Sequence, residues 1–176
     1  MPALSEDEIS RTLTDIGFFD KKEASIVKNE IIEFISNGKG KITFANGDIY
    51  EGDIANGKPH GKGKQTDNLG NIYEGDFFDG KWHGKGKRTY REGDSYEGDF
   101  VNGEKTGKGK YILTNNDVYT GDFFEGDFHG RGKKTFSNGN VYEGDFKRNF
   151  QTGKGKMIYA DGRVLEGNWE EDDFID

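Results

Sequence analysis

Tyr73-Glu74-Gly75-Asp76-Phe77 decides the fold of this chain. Its alternation puts Tyr73, Gly75 and Phe77 on one face of an extended strand, with Glu74 and Asp76 on the other. A turn over Asp79-Gly80-Lys81-Trp82-His83 is expected next. The return segment Gly84-Lys85-Gly86-Lys87-Arg88-Thr89-Tyr90 then puts Gly84, Gly86 and Tyr90 together and Lys85, Lys87 and Thr89 opposite, before a second turn at Arg91-Glu92-Gly93-Asp94. The unit is one β-hairpin with an aromatic-and-glycine face and a charged face.

That stretch recurs every 23 residues: Tyr50-Glu51-Gly52-Asp53-Ile54, Tyr96-Glu97-Gly98-Asp99-Phe100, Tyr119-Thr120-Gly121-Asp122-Phe123, Tyr142-Glu143-Gly144-Asp145-Phe146 and a divergent Leu165-Glu166-Gly167-Asn168-Trp169. A fixed period of this size marks a repeat array, in which each unit is stabilised by its neighbours. Full hairpins starting at 50, 73, 96, 119 and 142, a return strand near 39–44 and a closing strand near 165–169 predict 12 strands. At about 4.8 Å per strand they make a twisted ribbon roughly 50–55 Å long. Strand glycines leave room for rings of neighbouring strands to lie over the backbone. Acids across from lysines add about 0.2–1 kcal/mol per pair.

The repeated unit, Tyr-x-Gly-Asp-Phe, then Gly-Lys-x-His-Gly-x-Gly-Lys, then an aromatic and a glycine turn, resembles the MORN repeat (membrane occupation and recognition nexus) over about residues 38–169. Asn116 and Asn149 replace turn glycines, and both tolerate the left-handed conformation. Thr106 and Thr152 stand where other copies carry histidine. The resemblance implies a single-layer antiparallel sheet with a concave, aromatic-lined groove. It also implies a non-enzymatic scaffold or adaptor that binds a partner helix or peptide, cytoplasmic and within a cytoskeletal or ciliary assembly. Phospholipid binding is a second property proposed for such repeats.

Composition agrees with a thin structure held by rings. Of 176 residues 31% are hydrophobic, which is low, and 14% aromatic, which is high. There is no cysteine, so no disulfide framework and no thiolate metal site is expected. No apolar run approaches the roughly 20 residues of a transmembrane helix. The acidic start Met1-Pro2-Ala3-Leu4-Ser5-Glu6-Asp7-Glu8 fits neither a signal nor a transit peptide, so an intracellular setting is expected. Residues 1–37 hold eight acids and four bases, residues 166–176 six acids and no base, and the array between them is nearly neutral. That balance disfavours nucleic acid as a partner.

Residues 1–37 read as a helical hairpin. Ser5-Glu6-Asp7-Glu8 forms a capping box ahead of Ile9, Leu13 and Ile16, and Asp20-Lys21-Lys22-Glu23 repeats the start signal ahead of Ile26, Val27, Ile31, Phe34 and Ile35. Its two expected roles are a cap on the array and a docking or dimerisation element, the latter permitting a homo-oligomer through the hairpin or the array ends. Residues 170–176 read as an acidic tail.

No catalytic constellation, metal site or cofactor is expected. His60, His83 and His129 occupy the same repeat position, roughly 9.6 Å apart in successive hairpins, too far for a shared zinc. Gly80 to Gly84 is too short for a phosphate-binding loop, and a strand follows it. Asp67-Asn68-Leu69-Gly70-Asn71 lacks the glutamate that ends a Ca²⁺ loop.

Three surfaces remain for binding. The first is the groove of Tyr50, Tyr73, Phe77, Tyr96, Phe100, Tyr119, Phe123, Tyr142 and Phe146, whose rings on the other reading stack into the thin core. The second is an edge of extra aromatics at the turns of repeats two and four, Phe78 with Trp82 and Phe124 with Phe128. Exposed aromatics at turns are natural interface anchors, or else they fold back over the aromatic face. The third is a lysine face (Lys62, Lys64, Lys85, Lys87, Lys108, Lys110, Arg131, Lys133, continuing to Lys154 and Lys156) for the alternative reading, peripheral binding to anionic phospholipids. The acids beside that stripe weigh against it.

Overall fold

Two-residue turns with positive φ at both positions set the register of this protein. Asn56-Gly57, Asp79-Gly80, Asn102-Gly103, Glu125-Gly126 and Arg148-Asn149 all turn this way, with Asp79 at 47° and Gly80 at 83°. This is the type I′ geometry whose twist matches that of the flanking strands. The computed structural model describes residues 38–176; the helical hairpin expected over residues 1–37 lies outside the described residues.

The strands run β1 (Gly38–Thr43), β2 (Ile49–Ala55), β3 (Lys58–Thr66), β4 (Ile72–Phe78), β5 (Lys81–Thr89), β6 (Ser95–Val101) and β7 (Glu104–Ile112). They continue as β8 (Val118–Phe124), β9 (Asp127–Thr135), β10 (Val141–Lys147), β11 (Phe150–Ile158), β12 (Val164–Glu170) and β13 (Asp173–Phe174). All 13 form one antiparallel sheet in chain order. The expected 12 strands are present, and the acidic tail adds a short thirteenth. Leu165 leaves Gly167 without the tyrosine that covers such a glycine in earlier copies. Phe174 fills the place, its ring 2.9 Å from where a Gly167 Cβ would sit and edge-on to Trp169 at 5.3 Å.

The mid-hairpin turn is shorter than the five residues expected. Lys81, Trp82 and His83 belong to β5, and Trp82 pairs with Phe77. The register then jumps: Gly75 faces Gly86 but Asp76 faces His83, so Gly84 and Lys85 bulge out of the β4 ladder. Gly84 has φ of 62°, a left-handed value glycine adopts without strain.

Two groups of the repeated motif close this bulge. The Asp76 carboxylate accepts the Lys85 backbone N–H at 3.0 Å. The Tyr73 hydroxyl donates to the Asp76 carbonyl at 2.8 Å. The Asp contact recurs at Asp53, Asp99, Asp122 and Asp145, and the Tyr contact at Tyr50, Tyr96, Tyr119 and Tyr142.

Neighbouring repeats are stapled at both margins. On one, Asn71 Oδ1 accepts the Arg91 N–H at 2.9 Å, and Asp94 Oδ1 accepts that of Thr114 at 2.8 Å. On the other, Gly80 N–H donates to Pro59 O and Gly103 N–H to Trp82 O, both at 2.9 Å. Asn116 and Asn149 take φ of 66° and 73° in their glycine positions.

Candidate functional site

The tyrosine rings lie flat over the paired glycines. A Cβ on Gly86 would sit 2.4 Å from the Tyr73 hydroxyl and 2.5 Å from its ring. Around the rings of Tyr73, Tyr96 and Tyr119 stand two phenylalanines, edge-on: Phe77 at 5.1 Å and Phe100 of the next repeat at 5.0 Å from Tyr73, while Trp169 takes the second place at Tyr142. Burial is nearly complete, 0% exposed at Tyr50, Tyr96, Tyr119 and Tyr142 and no more than 3% at Tyr73, Phe77, Phe100, Phe123 and Phe146. Desolvation pushes the tyrosine hydroxyls up, that of Tyr142 to about 12. The nine residues expected to line an open groove therefore form the core, closed by one another. A single layer needs no second layer when rings as large as these can lie over glycine backbone.

The expected edge pairs divide between the two faces. Trp82 is stacked on Tyr73 at 4.7 Å, and its indole N–H donates to Gln65 at 3.0 Å. Phe128 is stacked on Tyr119 at 3.9 Å and is 9% exposed. Both sit in strands and cover the core, because the tight turn puts their positions one register step inside the hairpin. Phe78 and Phe124 point the other way and remain 58% and 54% exposed. Each packs beside histidine: Phe78 lies 5.2 Å from His60 and 5.8 Å from His83, Phe124 5.5 Å from His129.

Arg88 and Lys105 belong to the aromatic face, and the sequence reading did not single them out. The Arg88 guanidinium lies 4.7 Å over Trp82 and 4.6 Å over Tyr90. Lys105 takes the covering position over Tyr96 and lies 4.7 Å over Tyr111. Burial, and then the neighbouring Arg88 charge, lowers the Lys105 pKa. The signal was available in the sequence, since Lys105 is aligned with Trp82 and Phe128.

The concave surface is on the opposite face. A groove of about 1660 Å³ crosses the strands from β3 to β12, walled by lysines and glutamates and floored by the glycine backbone. Its ion pairs are regular. Lys62, Lys85 and Lys108 reach Asp76, Asp99 and Asp122 at 2.6 Å, and Arg131 reaches Asp145 at 3.1 Å. Lys64 meets Glu74 at 3.1 Å and Lys133 meets Glu143 at 2.6 Å. Lys87 faces Glu74 and Glu97, and Lys110 faces Glu97 and Thr120. Alternation places Phe78, Val101 and Phe124 on this face along one rim, and Ile72, Val118 and Val141 along the other.

Among the described residues no group of three His, Cys, Asp or Glu side chains is placed to hold a metal ion. Nor is any helix among them long and apolar enough to cross a membrane.

Comparison with known proteins bears on the array. A family model described as the MORN repeat matches residues 36–49, 50–68, 73–95, 96–118, 119–141 and 142–162. Comparison with curated proteins finds no matching sequence. Among solved structures, the chain is similar to the SAS-4 (dCPAP) TCP domain of Drosophila melanogaster in complex with a proline-rich motif of Ana2 (dSTIL). Identity is 15% over 74% of this chain and 72% of that one, with a TM-score of 0.48. The TCP10c domain of Drosophila melanogaster Sas-4 follows at 19% identity over 74% and 86%, TM-score 0.36. The TCP10 domain of Danio rerio CPAP in complex with a STIL peptide is at 14% identity over 74% and 68%, TM-score 0.28. Likeness at that level says nothing more of this chain.

Proposed function

The chain belongs to the MORN-repeat family, and from that premise we propose that it is a non-enzymatic scaffold that holds a helix or extended segment of a partner protein against its charged face. One observation carries the reading: a groove of about 1660 Å³ lies on the face to which alternation also assigns the exposed rings of Phe78 and Phe124. The I′ turn and the bulge do not need those two rings, whereas exposed aromatics beside a groove suit partner anchoring. Polar walls between apolar rims fit an amphipathic segment better than an apolar ligand. The aromatic face, the surface first expected to bind, is filled by its own rings.

Membrane binding through the lysines is the weaker reading. Most of the cations that would meet anionic headgroups are engaged by carboxylates one strand away. A cytoplasmic setting in a cytoskeletal or ciliary assembly is proposed on the family's habit alone.

The test uses a photo-crosslinking side chain. Phe124→p-benzoylphenylalanine on the rim is expected to give one discrete partner adduct in cell lysate. The same group at Lys134, on the aromatic face, is expected to give none. Equal adducts from both faces would overturn the assignment of the binding face.

A further inference from the structure

The groove carries a repeating charge pattern with one break in its middle. In repeats one, two, three and five, two positions of the outgoing strand place a glutamate and an aspartate on this face, against two cations of the return strand. In repeat four the glutamate position holds Thr120, so of these positions only Asp122 is acidic, against Arg131 and Lys133, while Asp127 lies at the rim opposite Phe124. Thr120 is exposed and lies between two lysines, with Lys110 as its pairing partner on β7 and Lys133 on β9. Lys133 turns away to Glu143 at 2.6 Å. Lys110 is flanked by a single acid, Glu97, where Lys87 in the preceding repeat is flanked by two, Glu74 and Glu97.

Position also matters. Thr120 lines the groove on β8, well inside a surface that spans β3 to β12. Phe124 is on the same strand and face, four residues and so roughly 13 Å further along, with its ring exposed. At the far end Asn168 deprives Lys154 of a carboxylate in the same way. There, however, the acidic residues of the tail follow directly in the chain.

Resting on the scaffold reading above, we infer that the groove takes an acidic segment of its partner, a run of Glu or Asp with one carboxylate over Thr120 between Lys110 and Lys133. The missing acid is supplied in trans. A partner carboxylate there completes the alternating row of charges and meets no like charge from this strand, whereas at any other repeat it would face a resident glutamate. The cation flanked by one acid fewer selects the sign of the ligand, and its place in the row sets the register in which the partner lies.

Octaglutamate peptide is the probe, titrated at low salt against the full chain and two variants. Thr120→Glu restores the residue found at the equivalent places 51, 74, 97, 143 and 166, so its fold is safe. It is expected to weaken binding about three- to tenfold, the effect of one lost pairing and one new repulsion at an exposed site. Glu143→Thr opens a second gap, between Lys133 and Lys156, and is expected to strengthen binding by a similar factor. Wild type and Thr120→Glu binding alike, or no binding by wild type, would overturn the inference. So would phosphatidylserine vesicles responding to the charge at position 120 while octaglutamate does not, since the site would then face a membrane. In each of these cases a rim adduct from position 124 still reports on the scaffold reading, so failure of the one is distinguishable from failure of the other.

Discussion

Phe128 lies face to face on Tyr119, their ring centroids 3.9 Å apart and their planes 9° from parallel. Phe124, on the strand before it, points to the other side of the sheet and remains 54% exposed. These two phenylalanines, four residues apart, do separate work. Phe128→Ala is expected to lower unfolding stability by about 2–4 kcal/mol, the range for truncating a core aromatic where part of the gap can relax. Phe124→Ala is expected to stay within about 0.5 kcal/mol of wild type. Urea midpoints of the two variants check this, and equal losses would place both rings in the core.

The glycines under the tyrosines tolerate no side chain. A Cβ on Gly86 would meet the Tyr73 hydroxyl and ring at 2.4–2.6 Å, while at Gly80 nothing lies within 4 Å. Gly86→Ala is therefore expected to cost about 1–3 kcal/mol by overpacking. Gly80→Ala is expected to cost only the left-handed backbone penalty, about 1 kcal/mol. Thermal unfolding of the pair decides between them, and a milder effect at Gly86 than at Gly80 would refute the ring-on-glycine packing.

Removing one hydroxyl opens the bulge from the aromatic side. Tyr96 donates to the Asp99 carbonyl at 3.0 Å from a fully buried ring. Tyr96→Phe keeps the ring and leaves that carbonyl short of a donor, at a cost of about 1–2 kcal/mol. Amide exchange is expected to quicken near Asp99 and Gly107 and to stay unchanged at Asp53 and Gly61; a uniform change would show that the hydroxyls act on the sheet as a whole.

Acid loosens the other side of the bulge. The ion pair to Lys62 holds the Asp76 carboxyl below the usual carboxylate range against the opposing effect of burial, and the bulge N–H of Lys85 adds to it. Asp99 is held down in the same way by Lys85 and Lys108. A folded value below the unfolded one contributes stability that is fully present above the unfolded pKa, about 3.9 for Asp, and is lost as pH falls through the lower folded value. The urea midpoint is therefore expected to be flat from about pH 7 to 5 and to decline below about pH 4. Asp76→Asn should make that decline shallower. An acid decline as steep in this variant as in wild type would assign it to other groups.

The repeat, the hairpin, the face each motif residue occupies and all but the last strand were legible in Tyr73-Glu74-Gly75-Asp76-Phe77 and its copies. Period and alternation are properties of the backbone itself. What misled was the turn. Asp79-Gly80 is one of the dipeptides that favour a two-residue I′ turn, and spreading it over five residues put Trp82 at a tip when it belongs to a strand. The groove was misplaced for a related reason. Alternation tells which residues share a face, not which face is concave, and the strand glycines show that rings can lie over the backbone without showing that the rings alone close the core. Phe174 was missed because its role depends on the absence of a tyrosine at Leu165, on the preceding strand.

Each strand is bonded only to the strands before and after it in the chain, and the first and last described strands form the two margins of the sheet. Tension applied between those margins pulls across the ladders, which bear it in series, so each carries the same load and the shortest, the two residue pairs of β12 with β13, parts first. The chain is therefore expected to lengthen under load in steps of one hairpin while the remaining repeats stay folded. The number of hairpins sets how far the sheet can pay out before its central strands separate.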